Sequence, residues 1–115
     1  MAVRLPTGHT HLLLTRTSIN REHRHRIATT STPPILLRNG NHVHRVRSYT
    51  TFDRRHTHRM SRLTGPGISL GNGRHVHLVR ALTTVDREHR HAVRAETSQA
   101  PNIPASVVRR ALRRN

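Results

Sequence analysis

The sequence predicts an all-β fold of three hairpin repeats, with about six antiparallel strands and a short basic helix or tail at the C-terminal end. Three observations predict this fold. All twelve histidines of the 115-residue chain fall in His-x-His pairs, and the pairs recur with a period of 33 residues. Within each repeat, residues alternate in character with a period of two, which is typical of strands. Stretches rich in Pro, Gly and Asn separate the repeats, where turns are expected.

The alignment of the repeats also predicts the domain organisation. We predict a single three-repeat β domain over residues 1–104, followed by a basic tail over residues 105–115. The length of the chain supports one domain. The repeats are residues 9–41, 42–74 and 75–102.

Each repeat is predicted to form a strand, a tight turn and a second strand. In the middle repeat, His42, His44 and Val46 share one face, and Arg45 and Arg47 share the other. We expect the face with histidine and aliphatic residues to be interior, and the arginine face to meet solvent or a partner. The turns hold an Asn or Asp, which favours this conformation: Asn20, Asp53 and Asp86. A meander, a small barrel and two packed sheets (a sandwich) all fit this pattern.

The C-terminal tail has the pattern of a short amphipathic helix. Val108, Ala111 and Leu112 fall on one side of such a helix, and arginines surround them. Ser106 is a reasonable N-cap.

The histidine pairs are candidate metal ligands. Alternate residues of a strand point to the same face, about 6.6–6.8 Å apart, so two imidazoles can close on one ion. The chain has no cysteine and only five acidic residues, so a site would be all-histidine or nearly so. Imidazole suits zinc, copper or nickel. If the hairpins close up, the pairs that open first strands converge at one end and those that open second strands converge at the other. The candidate ligands are His9, His11, His23, His25, His42, His44, His56, His58, His75, His77, His89 and His91.

Two other roles for the pairs remain open at this point. The rings can be repeated packing elements, each satisfied by a backbone carbonyl or by a threonine hydroxyl from the next strand. They can also act together as a store of charge that titrates near pH 6.5.

The charge of the chain makes a polyanion a natural partner. The net charge is +16 with histidine neutral, and all 21 basic residues are arginine. Such a charge predicts salt-dependent binding to nucleic acid, but only Tyr49 and Phe52 offer aromatic rings for base stacking. A solvated outer face explains the arginines equally well. The candidate residues for a polyanion or an interface are Arg24, Arg26, Arg45, Arg47, Arg59, Arg80, Arg90 and Arg94.

The sequence does not favour an enzyme. Glu22 and Glu88 stand beside histidine pairs and resemble the general base of a metal-dependent hydrolase, but Arg55 takes this place in the middle repeat. The chain has neither a phosphate-binding loop nor a nucleophile elbow. It also has no apolar run of about 20 residues that would span a membrane, and no secretory signal. We expect synthesis in the cytoplasm, with the cell surface reached, if at all, by a non-classical route.

The repeat resembles that of the YmaF family of small bacterial proteins from spore-forming Firmicutes. The best-matching stretches are residues 40–44, with Gly-Asn-His-Val-His, residues 50–53 with His56 and His58, and residues 64–68, with Thr-Gly-Pro-Gly-Ile. The resemblance covers about residues 8–104. It implies a lineage without an established activity.

These observations predict a self-assembling structural protein: a filament, coat or surface-layer subunit. Its histidine pairs would bind a transition metal or pack the subunit core, and its partners would be further copies of the chain. The thin core and the repeated strand edges motivate assembly. The alternative is a basic nucleic-acid-binding protein.

Overall fold

A computed structural model describes residues 3–5, 8–52, 55–86 and 88–113. Within these residues the chain forms short strands and one helix. The strands are β1 Val3–Arg4, β2 Leu12–Arg16, β3 Arg26–Thr30, β4 Ile35–Leu36, β5 His42–Val43, β6 Arg45–Tyr49, β7 Arg59–Leu63, β8 Ile68–Ser69, β9 Arg74–Val76, β10 Leu78–Leu82, β11 Ala92–Glu96 and β12 Ala100–Pro101; the helix is α1 Ala105–Arg113.

Three antiparallel hairpins, β2–β3, β6–β7 and β10–β11, form the body of the protein. Each is built from two strands of five residues in equivalent register: Thr15 lies opposite Ile27, and Ala81 opposite Val93. These six strands confirm the predicted repeat of strand, turn and strand. The second histidine of every pair directly precedes one of them.

The three hairpins pack side by side in a cycle. β3 contacts β6, β7 contacts β10, and β11 contacts β2, so the third hairpin returns to the first. Single backbone hydrogen bonds join neighbouring hairpins, such as the one from the Thr84 N–H to the Arg59 carbonyl at 2.8 Å. The sheets stay two-stranded, so no closed barrel forms in the part of the chain that the structure describes.

The interior of the cycle is an aliphatic core. One side chain from each long strand fills it: Leu13, Ile27, Val46, Met60, Val79 and Val93. Ala81 and Ala95, which are partly buried, pack against this cluster. Alternate residues of the same strands, such as Arg47 and Arg94, are exposed. The predicted assignment of faces is therefore confirmed.

The hairpin turns use a left-handed backbone without glycine. Arg21 and Glu22 have φ of 55° and 65°, and Glu88 has φ of 64°. Positive φ at both central residues is the geometry of a type I′ turn, which matches the twist of a hairpin. Asn20 pairs with His23 across its turn, as predicted for Asn and Asp at this place. Asp53 lies outside the described residues.

Two small sheets and the helix surround the end of the hairpins that is opposite to their turns. β1, β4 and β5 form one sheet, and β8, β9 and β12 form the other. The predicted C-terminal helix is confirmed, but it begins at Ala105, so Ser106 lies inside its first turn instead of capping it. A Cβ placed on Gly40 would lie 3.8 Å from Val108, so the helix rests on that loop. Among the described residues, no helix has the length and apolar character to cross a membrane.

Candidate metal centres

The structure gathers the twelve histidines into two clusters of six, as the alternation of strand directions predicted. The first cluster is His9, His11, His42, His44, His75 and His77, and the second cluster is His23, His25, His56, His58, His89 and His91. Within each cluster the candidate ligand nitrogens all lie within 4.8 Å of one another. All of these residues are buried except His9, which is half-buried. Among the residues that the structure describes, neither cluster contains an acidic residue.

Each ring that directly precedes a long strand is held by the neighbouring hairpin. Its Nδ1–H donates to a backbone carbonyl at 2.7–2.8 Å. The pairs of donor and acceptor are His11 with Ser98, His25 with Thr51, His44 with Thr32, His58 with Thr84, His77 with Gly65 and His91 with Ser18. A carbonyl oxygen only accepts, so Nδ1 carries the proton, and the neutral ring presents the lone pair of Nε2. Such outer bonds orient imidazole ligands in metal sites.

The backbone of the same histidines is fixed by buried hydroxyls. Each N–H donates to a serine or threonine of its own hairpin, at 2.9–3.1 Å. That hydroxyl donates in turn to the carbonyl of the next residue, at 2.9–3.2 Å. The hydroxyls belong to Thr17, Ser31, Thr50, Thr64, Thr83 and Thr97. The carbonyl is the one that holds a histidine ring of the adjacent hairpin, so hydroxyl, carbonyl and ring form a chain from hairpin to hairpin.

The Nε2 atoms point inward and approach one another. In the first cluster, Nε2 of His42 lies 3.0 Å from that of His75 and 3.1 Å from that of His9. In the second cluster, Nε2 of His23 lies 3.3 Å from those of His56 and His89. The Nε2 atoms of three rings of the second cluster are buried without any hydrogen-bond partner: His25, His58 and His91. Buried polar atoms are seldom left in this state, and a cation at the centre would satisfy them.

Burial keeps the rings neutral, as metal ligands must be. Desolvation lowers the pKa of His42 to about 2 and that of His77 to about 3, and the charges of neighbouring histidines add to the effect. Desolvation lowers the pKa of His91 in the second cluster to about 4. It also lowers the pKa of His25 and His58. Since a protonated imidazole cannot ligate a metal, these shifts favour the binding form.

Two supporting residues were not predicted from the sequence. The Nδ1–H of His75 donates to Oδ1 of Asn102 at 3.1 Å. Asn41 lies beside the first cluster and accepts the N–H of Gly67 at 3.1 Å. The recurrence of serine or threonine at the six hydroxyl positions is visible in the repeats, and it was the available signal for that part of the site.

A cavity of about 310 Å³ lies beside the first cluster. His42 and His75 form part of its wall, and Val108 of α1 lines another part.

The arginines that were predicted to bind a polyanion or to form an interface do not belong to either histidine cluster. All of them are exposed except Arg45, which is half-buried and donates to Oγ of Ser61 at 3.2 Å. They are spread over the outer faces of the hairpins and their ends. Their role in binding a polyanion stays a prediction.

The fold and the clusters define a small all-β protein with two buried, all-imidazole centres that can each hold a metal ion. A family model described as "YmaF: Spore germination protein GerY/YamF" matches residues 7–98. Since the match spans most of the chain, the protein belongs to the YmaF family, and the resemblance seen in the sequence is confirmed. No curated protein and no solved structure matches the chain at a significant level.

Proposed function

We propose that the protein is a structural metal-binding protein that holds one divalent transition-metal ion in each histidine cluster. The ions tie the three hairpins together, because every hairpin contributes one pair of ligands to each cluster. The observation that carries the proposal is the set of Nε2 atoms that face one another without partners, on rings whose Nδ1 is already bonded.

Packing alone accounts less well for this arrangement. The carbonyl contacts at Nδ1 are those expected for packed rings, but they satisfy only one nitrogen of each ring. The Nε2 atoms of His25, His58 and His91 remain buried and unpaired. Each buried acceptor left without a partner costs about 1–3 kcal/mol. Three such atoms in one cluster would substantially lower the stability of a small domain, and a bound metal ion would remove this cost.

The same arrangement favours a structural ion over a catalytic one. Hydrolytic metal sites keep an open position for water. Six imidazoles directed at one centre would fill the positions around the ion. We therefore propose that the protein is not an enzyme.

The experiment that tests the proposal is metal analysis of the full chain, purified without a histidine tag. We expect two transition-metal ions per chain. Replacing His25, His58 and His91 by leucine should leave one ion, and so should replacing His11, His44 and His77. Each triple variant is the control for the other, since it leaves the opposite cluster intact. A protein that folds and takes up no stoichiometric zinc, copper, nickel, cobalt or iron would refute the proposal.

The family description supports a role in spore germination for this chain. A protein locked by two ions suits a spore component that must keep its fold for long periods. The proposed role can be tested by comparing germination of spores that carry the wild-type gene with those that carry the two triple variants. Normal germination with both variants would show that the role in germination does not depend on metal binding.

Self-assembly remains a second candidate property. Several apolar side chains are exposed on the outer faces of the hairpins: Leu14 is 64% exposed, Tyr49 65% and Leu82 56%. Unpaired strand edges beside such side chains favour pairing with another chain. Sedimentation of the metal-loaded protein tests this property, and a single monomeric species over a wide range of concentration would exclude it.

A further inference from the structure

The six imidazole rings of each cluster are arranged as an octahedron. In the first cluster, every ring centroid lies 4.5–5.0 Å from those of all the other rings except one. The exceptions are the opposite pairs: His9 with His77, His11 with His42, and His44 with His75. Six points that each have one opposite and otherwise neighbour one another form an octahedron.

The second cluster has the same arrangement. Its neighbouring ring centroids lie 4.8–5.0 Å apart. The opposite pairs are His23 with His58, His25 with His89, and His56 with His91. In both clusters the first histidines of the pairs form one triangle and the second histidines form the other.

The size of the octahedron matches a metal–imidazole shell. Seven of the neighbouring Nε2 pairs, five in the first cluster and two in the second, are 3.0–3.3 Å apart. An octahedron with edges of this length has its centre about 2.1–2.3 Å from each vertex, close to the metal–nitrogen distances of about 2.0–2.1 Å found for imidazole ligands. The rings therefore need little movement to bind an ion through all six Nε2 atoms.

Such a shell discriminates between metals by coordination number. Zn²⁺ in structural sites is almost always tetrahedral, so it would use four rings and leave two buried lone pairs without a partner. Cu²⁺ prefers a tetragonal arrangement, whereas five neighbouring Nε2 pairs in the first cluster are evenly spaced at 3.0–3.1 Å. Mg²⁺ and Ca²⁺ prefer oxygen ligands. The remaining candidates are ions that combine six-coordination with affinity for imidazole.

The charge of the ligands also matters. All six ligands are neutral, and no carboxylate from the described part of the chain joins either cluster. A trivalent ion would leave a larger uncompensated charge in the interior than a divalent one, so the clusters favour the divalent state.

Building on the proposed function, we infer that both clusters are six-coordinate sites that select Ni²⁺, Co²⁺ or Fe²⁺ over Zn²⁺. The unpaired rings left by tetrahedral zinc each cost about 1–3 kcal/mol, so nickel should be preferred by at least about tenfold.

The test uses the full-length protein after removal of metal by chelation. Dialysis against equal concentrations of Ni²⁺ and Zn²⁺, followed by metal analysis, should give at least about ten nickel ions for each zinc. Loading with Co²⁺ alone should give the weak visible absorption of six-coordinate cobalt. An intense blue tetrahedral spectrum, or zinc retained as well as nickel, would overturn the inference while leaving the proposed function intact. Retention of neither metal by folded protein would also overturn the inference, and failure to take up cobalt, iron and copper as well would refute the proposed function.

A single substitution supplies the internal control. His9→Leu removes one vertex of the first cluster at its half-buried position and leaves the second cluster unchanged. We expect the nickel preference to fall for one of the two bound ions and to persist for the other. An unchanged preference at both sites would show that six-coordination does not set the selectivity.

Discussion

At the scale of single residues, each nitrogen of a histidine that precedes a long strand has a different role. The backbone N–H of His58 donates to Oγ1 of Thr50 at 3.0 Å, and its Nδ1–H donates to the carbonyl of Thr84 at 2.8 Å. Only Nε2 is left for the cluster. The same division recurs at every histidine that precedes a long strand, so the hydroxyls help to position the candidate ligands.

Removing one of these hydroxyls should destabilise the protein. Thr50→Val keeps the shape of the side chain but leaves the His58 N–H buried without an acceptor. We expect the free energy of unfolding to fall by about 1–3 kcal/mol. Urea unfolding of the wild type and the variant under identical metal conditions measures the change.

Thr15→Val is the matched control for this substitution. Thr15 lies on β2 and its hydroxyl makes only a local contact with the carbonyl of Arg16 at 3.3 Å. We expect this change to stay within about 0.5 kcal/mol. Equal effects of the two substitutions would contradict the role given to the Thr50 hydroxyl.

The sequence predicted the members of each cluster but not their geometry. The period of 33 residues was enough to place His9, His42 and His75 at equivalent positions and to divide the pairs between the two ends. Nothing local in a sequence encodes which nitrogen of a ring faces inward. That choice depends on carbonyls such as that of Ser98, which reaches His11 only after the third hairpin has closed against the first.

At the scale of elements, the hairpin and its turn are the repeated unit. The strand pattern is strong because five alternating residues bury one face and expose the other. The turns are under local strain, since a residue other than glycine has a positive φ at Glu22, Arg55 and Glu88. A left-handed conformation costs an ordinary residue roughly 1–2 kcal/mol. The hairpins tolerate this cost because the turn places His23 and its equivalents in the second cluster.

Relieving this strain should stabilise the protein. Glu88 is exposed with φ of 64°, a conformation that glycine adopts freely. We expect Glu88→Gly to raise the free energy of unfolding by about 0.5–1 kcal/mol. Thermal or urea unfolding provides the measurement.

Glu96→Gly is the control, because it removes the same charge from a regular strand, where Glu96 lies opposite Leu78. There glycine should lower the free energy of unfolding by about 0.5–1 kcal/mol. A loss of stability with Glu88→Gly would mean that the glutamate side chain makes a contribution larger than the strain.

The elements that were not predicted are the short ones. β1, β4, β5, β8, β9 and β12 have two or three residues each, too few for a period to be recognised. The third strand of each small sheet also pairs with a distant partner, as for Val3 opposite Leu36 and Ala100 opposite His75. The long strands could be read from the sequence because five alternating residues show a period, whereas two or three residues do not.

At the scale of the whole molecule, two buried polar clusters sit at the ends of one apolar core. The core holds a single aliphatic side chain from each long strand, while the net charge of +16 opposes a compact state. The three hairpins share no extended sheet. All three hairpins therefore meet only in this core and in the two clusters, and the protonation state of the clusters should govern the stability of the metal-free protein.

The metal-free protein should lose stability as the pH falls below about 6.5. Unfolded histidine has a pKa near 6.5, whereas burial lowers the pKa of His9 and His44 in the folded protein to about 4 and that of His42 to about 2. Between these values the unfolded chain binds more protons than the folded one, so stability rises with pH in this window and is greatest above about 6.5. Unfolding by urea near pH 5 and near pH 7.5, with a chelator present, measures the difference.

His42→Gln tests whether the cluster causes the dependence, because glutamine is polar and does not titrate. The variant should be less sensitive to pH than the wild type between the two conditions, even if it is less stable at both. Metal-loaded protein should show a steeper loss in acid, because protons then compete with the ion for Nε2. Stability that stays constant or increases from pH 7.5 to pH 5 in the metal-free protein would contradict the prediction, since folding would then not require neutral rings in the first cluster.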